Sequence, residues 1–212
     1  MKNSFFFFIF LLFVSTTQGQ NNPEAVSIGT QIWMKTNLDV STYRNGDPIP
    51  EVEDSAAWAE LTTGAWCYYR KKSENGKIYG KLYNWYAVND SRGLAPEGWH
   101  IPGKDEWTKL SDFLGGDTVA GGKMKETGTT YWREPNAEAT NTSGFTGLPG
   151  GYRGGRDGGS MFILKSETGA WWSSTEDSAE EAWLQFLSCK TGILKRNNKN
   201  KQFGFSVRCV KD

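Results

Sequence analysis

The sequence has 212 residues with 24 basic and 24 acidic side chains, so its formal net charge at pH 7 is zero. Nucleic-acid binding needs a concentrated positive footprint, and the densest basic cluster, within residues 195–201, is a short one that argues against that class of function. The 25 glycines and 10 tryptophans predict many turns and a core built on large aromatic side chains rather than a helix bundle.

Residues 1–19 have the pattern of a secretory signal peptide. Lys2 gives a positive start, an unbroken apolar run occupies residues 5–14, and Thr17 and Gly19 supply the small residues of a cleavage site. A membrane anchor is the less favoured alternative, because a spanning helix needs about 20 apolar residues. The pattern predicts an exported protein that is secreted, periplasmic or held at the cell surface.

The remaining chain contains no internal repeat, which favours one domain. We expect a polar leader over residues 20–25 and a single domain over residues 26–212, with no transmembrane segment after signal cleavage.

The first part of the domain combines short strands with two short helices. The alternation within residues 25–33, broken at Gly29, predicts a hairpin. Asp54 is a suitable cap for a helix over residues 55–61. A strand is expected over residues 65–69, and a helix over residues 81–88 because its apolar side chains recur at helical spacing.

The clearest helix covers residues 104–114, which begin with acidic side chains and end at two glycines. Asp117 is a candidate cap for a second helix that extends to residue 124. Residues 128–159 form a long, mostly irregular region, and such regions in compact domains are usually functional or specific to a family.

The last part of the chain is predicted to be β structure. Strands are expected over residues 170–174, 183–187 and 203–210. The polar segment 195–202 is interpreted as a hairpin connection between the last two strands.

Three cysteines and one histidine limit the redox and metal chemistry. An exported chain can form disulfides, and the pairs Cys67–Cys209 and Cys189–Cys209 are both possible. Zinc sites need about four His, Cys or carboxylate ligands, and neither the cysteine spacing nor the single His100 supplies them. His100 lies in a turn before the clearest helix, so a packed turn histidine is favoured over a general base.

Several ordered motifs resemble the Fibrobacter succinogenes major paralogous domain family, whose members are associated with exported bacterial proteins. The resemblance runs from about residue 26 to the C-terminus and rests on five segments: GKLYNWYAV at 80–88, PEGWHIP at 96–102, TNTSGFTGLPG at 140–150, WWSST at 171–175 and GFSVRCV at 204–210.

That family is similar to the C-type-lectin-like fold, in the branch shared with formylglycine-generating enzymes and the variable proteins of diversity-generating retroelements. The resemblance implies an α+β fold with two main helices beside a small twisted antiparallel sheet. It also implies long irregular loops and pairing of the N- and C-terminal strands.

Residues 134–136 spell Glu-Pro-Asn, the tripeptide that calcium-dependent lectins use for sugar hydroxyls. Calcium takes six to eight oxygen ligands, and the late-strand Trp-Asn-Asp partner of those lectins is absent, so coincidence is favoured. No cofactor is predicted, although a structural calcium near Asn141 and Asp157 stays open.

Catalytic residues are not predicted either. The thiol chemistry of formylglycine-generating enzymes uses a close cysteine pair, whereas Cys189 and Cys209 lie far apart in sequence. The acidic cluster within residues 176–181 could serve a carboxylate-dependent glycan-acting enzyme, but an exposed turn is the favoured interpretation.

Resemblance to the retroelement variable proteins places a ligand face in the late strands, at about residues 183–200. Aromatic and amide side chains are the usual means of holding a sugar ring or a protein surface. We therefore expect a non-enzymatic binding or cell-surface interaction module for a glycan or a surface protein; the alternatives are the glycan-acting enzyme and a purely structural surface protein. The candidate ligand-binding residues are Tyr152, Arg153, Trp172, Trp183, Gln185 and Asn197.

Overall fold

The computed structural model describes residues 23–156, 159 and 161–212. The predicted signal peptide and Asp157 lie outside the described residues. Within them, no helix has the length and apolar character needed to cross a membrane.

The described part is an α+β fold with short helices and small antiparallel sheets. The helices are α1 (Ser55–Ala59), α2 (Ser73–Tyr79), α3 (Trp85–Val88), α4 (Lys104–Phe113) and α5 (Asp117–Met124). The strands are β1 (Ala25–Ile28), β2 (Gln31–Met34), β3 (Trp66–Cys67), β4 (Leu82–Tyr83), β5 (Trp99–His100), β6 (Tyr152–Arg153), β7 (Phe162–Ile163), β8 (Thr168–Glu176), β9 (Glu181–Ser188), β10 (Thr191–Asn200) and β11 (Val210–Lys211).

Two sheets organise the fold. One has four strands in the order β1-β2-β11-β5, and the other has three in the order β10-β9-β8. Val210 in β11 pairs with Trp33 in β2, so the terminal strands are paired as the family resemblance implies. Two further pairs, β3–β4 and β6–β7, are small antiparallel ribbons.

The predicted hairpin and three of the predicted helices are confirmed. Gly29 turns the β1–β2 hairpin with a φ of 62°, a left-handed conformation that glycine adopts without steric cost. The Asp54 side chain caps α1 by accepting the Ala57 N–H at 2.8 Å. Helices α4 and α5 occupy the expected segments, and Glu106 accepts the Gly103 N–H at 2.9 Å at the start of α4.

The predicted helix over residues 81–88 is wrong in its first half. Tyr83 lies in β4, and its backbone exchanges hydrogen bonds of 2.9 and 3.0 Å with Phe205. Only the four residues of α3 are helical, capped by the Asn84 side chain. The helical spacing of the apolar residues was overridden because a distant segment bonds to this backbone.

Two predictions about the C-terminal strands are corrected. Residues 195–200 are not a connection but part of β10, which pairs with β9 as far as Asn200. In the expected strand 203–210, only Val210 belongs to a strand, whereas Gly204, Phe205 and Ser206 make isolated bridges to three different segments. This segment runs between several neighbours instead of pairing along one.

The core lies on both sides of the β10-β9-β8 sheet. On one side, Leu184 joins an aromatic cluster that contains Trp172 and Phe205. On the other side, Leu187 joins a second cluster that contains Trp33 and Trp107 and is covered by α4 and α5. Successive residues of β9 therefore alternate between two buried environments, which fixes the register of the strand.

Two buried cations are satisfied mainly by neutral oxygens. Arg208, 1% exposed, donates to the carbonyls of Met34 and Phe145 at 2.9 and 2.7 Å and to the Asn37 amide oxygen. Lys125, which has no exposed surface, donates to three backbone carbonyls at 2.6 to 3.1 Å. Burial lowers the pKa of Arg208 to about 9, which leaves it charged at neutral pH.

All three cysteines are buried and free. They lie in three different hydrophobic clusters, so neither candidate disulfide is formed. Burial raises the pKa of Cys67 to about 11 and that of Cys209 to about 12, which keeps both thiols protonated at neutral pH.

Candidate ligand-binding face

One side of the β9–β10 hairpin, which also carries Leu184 of the first aromatic cluster, presents a set of polar and aromatic side chains. Residues opposite each other on antiparallel strands point to the same side of a sheet. The register pairs Lys195 with Phe186, Asn197 with Leu184 and Lys199 with Ala182. Tyr152 packs on the same aromatic cluster as Phe186. These side chains form the hairpin face, which consists of Tyr152, Phe186, Lys195, Asn197 and Lys199, and the buried ring of Phe203 supports it.

The polar members of the hairpin face lie on an edge strand. Strand β10 is at the end of its sheet, and its Lys195 and Asn197 side chains are exposed. Phe186 is partly buried beside them. An exposed amide and an ammonium group therefore lie next to an aromatic ring, within a strand whose backbone is fixed by seven register pairs to β9.

The aromatic members are anchored in the core. The Tyr152 ring lies 5.2 Å from Phe205 and 6.3 Å from Phe203, and the latter two rings are stacked at 5.8 Å. The Lys199 ammonium lies 5.8 Å from the Phe203 ring. Burial raises the pKa of Tyr152, so its phenol is neutral at physiological pH and can donate or accept a hydrogen bond.

Trp183 lies on the opposite side of the sheet from Asn197. Its cross-strand partner is Asn198, whose amide donates to Asp177 at 2.6 Å. The Lys104 ammonium, at the start of α4, sits 4.0 Å from the Trp183 ring. Trp183 is partly exposed, but it cannot share one flat contact with the hairpin face because the sheet separates them.

Three of the six predicted ligand-binding residues are buried. Trp172 has no exposed surface and donates from its indole to the Tyr83 carbonyl at 2.9 Å. Arg153 is equally buried and donates to the carbonyls of residues 52–54 at 2.7 to 3.0 Å. Gln185 is also inaccessible. These side chains lie in the interior and do not belong to an exposed surface.

Of the six predicted residues, only Tyr152 and Asn197 thus belong to the hairpin face, Tyr152 through the aromatic cluster and Asn197 through its register with Leu184. Phe186, Lys195 and Lys199 were not among the residues predicted from the sequence. Residues 195–200 are polar at every position, so they carry no strand period. An uninterrupted polar segment of this kind resembles a connection, and the sequence therefore gives no signal for the strand.

Within the Glu-Pro-Asn tripeptide, Glu134 and Pro135 are exposed, whereas the Asn136 side chain is turned into the protein. Asn136 is 7% exposed, and its amide nitrogen donates to the carbonyls of Glu126 and Gly128 at 3.0 and 2.8 Å. Among the described residues, no group of three or more His, Cys, Asp or Glu side chains is arranged to hold a metal ion.

His100 links the C-terminus to α4. Its Nδ1 is 2.7 Å from Asp212 and its Nε2 is 2.7 Å from Glu106. Partial burial lowers the pKa of His100, but the hydrogen bonds to Glu106 and Asp212 outweigh it and the net pKa is raised. Both ring nitrogens contact carboxylates, so His100 bridges two acidic side chains and is not a free general base.

The acidic cluster is divided among separate partners. Glu176 bonds to the Lys201 ammonium and Asp177 accepts from Asn198. Elsewhere, a cleft of about 390 Å³ holds Asp39 and Glu97 beside Trp99. Asp39 is 2.7 Å from the buried Lys81 ammonium, so one of these two carboxylates is already paired.

The comparisons with known proteins give a family but no relative of established activity. The chain belongs to the family of the Fibrobacter succinogenes major domain, whose model matches residues 26–211. No curated protein and no solved structure matches it significantly.

Proposed function

We propose that this protein is an exported, non-enzymatic binding or cell-surface interaction module with a C-type-lectin-like fold. Its ligand, a glycan or a surface protein, binds at the hairpin face. The observation that carries the proposal is the combination of exposed Asn197 and Lys195 with partly buried rings on a strand pair packed between two clusters.

The chemistry of the hairpin face suits recognition. Aromatic rings offer a large contact area with little loss of conformational entropy, and the amide and ammonium groups supply directional hydrogen bonds. Because the rings of Tyr152 and Phe203 already pack against Phe205, little of the face has to be ordered when a ligand binds.

The fold and location in this proposal rest on separate observations. Paired terminal strands and the two longest helices, α4 and α5, beside a small sheet agree with a C-type-lectin-like arrangement. Export is supported by the charged start and apolar run within residues 1–19.

A glycan array with a matched pair of variants tests the proposal. The chain without residues 1–19 is applied with and without a calcium chelator, next to Asn197→Ala and Asn198→Ala. These neighbours differ in the side of the sheet that they occupy. We expect binding that persists under chelation, falls about tenfold or more in Asn197→Ala and changes little in Asn198→Ala.

Other outcomes point elsewhere. Binding that the chelator abolishes would contradict a calcium-free face and return attention to Asn136. Equal loss in the two variants would mean that the hairpin face is not the contact surface. Absence of glycan binding would leave a surface-protein ligand, to be tested with the same two variants, or a purely structural role.

A carboxylate-dependent enzyme is the second candidate, because Asp39 and Glu97 share a cleft with an aromatic ring. Glycan hydrolysis requires two carboxyl groups that flank the scissile bond. Product analysis of glycans incubated with the wild-type chain and Glu97→Gln separates the candidates. Cleavage that Glu97→Gln abolishes would replace the binding proposal.

A further inference from the structure

A second cleft, of about 500 Å³, lies away from the hairpin face. It opens between residues 69–75, which lead into α2, and residues 162–167, which comprise β7 and the turn after it. The side chains that matter for its chemistry define the cationic cleft: Tyr69, Arg70, Lys72, Phe162, Lys165 and Glu167.

The cleft carries an excess of positive charge. Arg70 and Lys72 are exposed, and within the described part of the chain neither they nor Lys165 form an ion pair with a carboxylate. The one acidic side chain that lines the cleft, Glu167, is bonded to Arg133 at 2.7 Å. Three cations therefore face this space with their charge unneutralised.

Lys165 is held in place without losing its charge. Its ammonium donates to the Asn75 amide oxygen at 2.7 Å, and Asn75 is itself 8% exposed. The amide nitrogen of Asn75 donates to the Tyr69 carbonyl at 2.7 Å. A buried neutral amide thus orients the ammonium, which keeps two further N–H donors.

An aromatic surface lies beside the cations. The rings of Tyr69 and Phe162 are 5.3 Å apart, and Phe162 is partly exposed. Lys165 lies 6.0 Å from the Tyr69 ring, and the Arg70 guanidinium lies 5.9 Å from it. Charged donors and an apolar ring are therefore available within one cleft.

Both walls contain side chains in a left-handed backbone conformation. Arg70, Leu164 and Ser166 have φ values of 53°, 58° and 69°. They are three of the eight non-glycine residues with positive φ in the described chain. Glycine would be favoured sterically, so the walls keep side chains at a conformational cost, a feature that concentrates at ligand sites.

We infer that the cationic cleft binds an acidic carbohydrate, with a carboxylate or sulfate group against Arg70, Lys72 and Lys165 and a sugar ring against Phe162. The guanidinium of Arg70 can bond two oxygens of either group at once. Nucleic acid fits less well, because three cations in a chain of zero net charge are a small footprint. This inference is independent of the hairpin face.

Two double variants provide a charge-matched test. Arg70→Asn with Lys72→Gln removes two cations that line the cleft, whereas Lys71→Asn with Lys77→Gln removes two exposed cations next to it that do not. Asparagine tolerates the left-handed conformation of Arg70 and Lys71. Titration calorimetry with galacturonate oligomers, sulfated dextran oligomers and neutral dextran measures binding to the full domain.

We expect one of the acidic oligomers to bind and neutral dextran not to bind. The first double variant should weaken that binding about tenfold or more, and the second should change it less than about threefold. The preferred oligomer then identifies the acid group as carboxylate or sulfate. Asn197→Ala should have no effect here, which separates this result from failure at the hairpin face.

Three results would overturn the inference. Equal weakening by both double variants would indicate general attraction to a basic surface. No binding of either acidic oligomer at low salt would remove the proposed ligand class. Tighter binding of single-stranded DNA than of the oligomers, lost in the first variant, would assign the cleft to nucleic acid.

Discussion

Two neighbouring segments near the C-terminus use their side chains in opposite ways. From Phe203 to Val210 every residue is buried, and its backbone bonds to several distant parts of the chain. In β10, which ends at Asn200, the side chains of Ile193, Lys195 and Asn197 are exposed. The segment 203–210 holds the fold together, whereas β10 exposes polar and apolar side chains at its surface.

The difference has a physical origin. A side chain in the segment 203–210 contacts neighbours on all sides, so a substitution disturbs packing or leaves a buried group unpaired. An outward side chain of an edge strand contacts solvent, and its replacement costs the fold little. Recognition groups can therefore differ at β10 without loss of stability, which suits a binding surface on a rigid scaffold.

Of the substitutions that test this difference, one at Arg208 should cause the largest loss of stability. Arg208→Met removes donors to the Met34 and Phe145 carbonyls and to the Asn37 amide oxygen, all in the interior. Unpaired buried acceptors cost about 1–3 kcal/mol each, partly offset because a buried charge is also removed. We expect a loss of about 3 kcal/mol in the free energy of unfolding, measured by urea denaturation.

Lys195→Met is the matched control, since it also replaces a cationic side chain by methionine but at an exposed position of β10. A change within about 0.5 kcal/mol is expected there. If the two variants lost similar stability, the proposed difference between the packed segment 203–210 and the exposed side chains of β10 would be wrong.

The sequence predicted more of the packed scaffold than of the hairpin face. The helix over residues 104–114, the β1–β2 hairpin and the paired ends follow from periodicity, turn residues and family motifs, which record local preferences and burial. The hairpin face depends instead on which polar residues of 195–200 pair with β9. That information lies in the register of the hairpin, which polar residues specify weakly.

The predicted ligand-binding residues that are buried in the structure show the same limit of sequence-based prediction. Arg153 and Gln185 are polar side chains in the late part of the chain, and their residue types suggest contact with a ligand. Their burial follows from tertiary packing, since Arg153 donates to carbonyls about 100 residues earlier in the sequence. A single sequence carries no direct signal for such a contact.

A smaller effect should appear in the pH dependence of stability, because His100 ties the end of the packed segment to α4. Its raised folded pKa means that the native state holds the proton more tightly than the unfolded chain. The resulting stabilisation is fully present below the unfolded pKa of about 6.5 and is lost as the pH rises through the folded value. We expect the free energy of unfolding to fall over that interval.

His100→Asn should remove this slope while leaving the chain folded, since His100 is 41% exposed at its side chain. Urea titrations of both proteins between pH 5 and pH 9 provide the measurement. An unchanged slope in the variant would assign the pH dependence to another group and would show that the bridge from Asp212 to Glu106 does not secure the terminal segment.

The smallest expected effect concerns the hairpin face itself. The combined variant Lys195→Gln, Asn197→Ala and Lys199→Gln keeps the β9–β10 pairing, because the ladder uses backbone groups and none of the three altered side chains is buried. Its free energy of unfolding should stay within about 1 kcal/mol of the wild-type value, whereas its ligand binding should be lost. Stability measured by urea denaturation, beside binding on the array, separates the two properties. A large loss of stability would make the lysines and Asn197 part of the scaffold, and β10 would then resemble the packed segment that follows it.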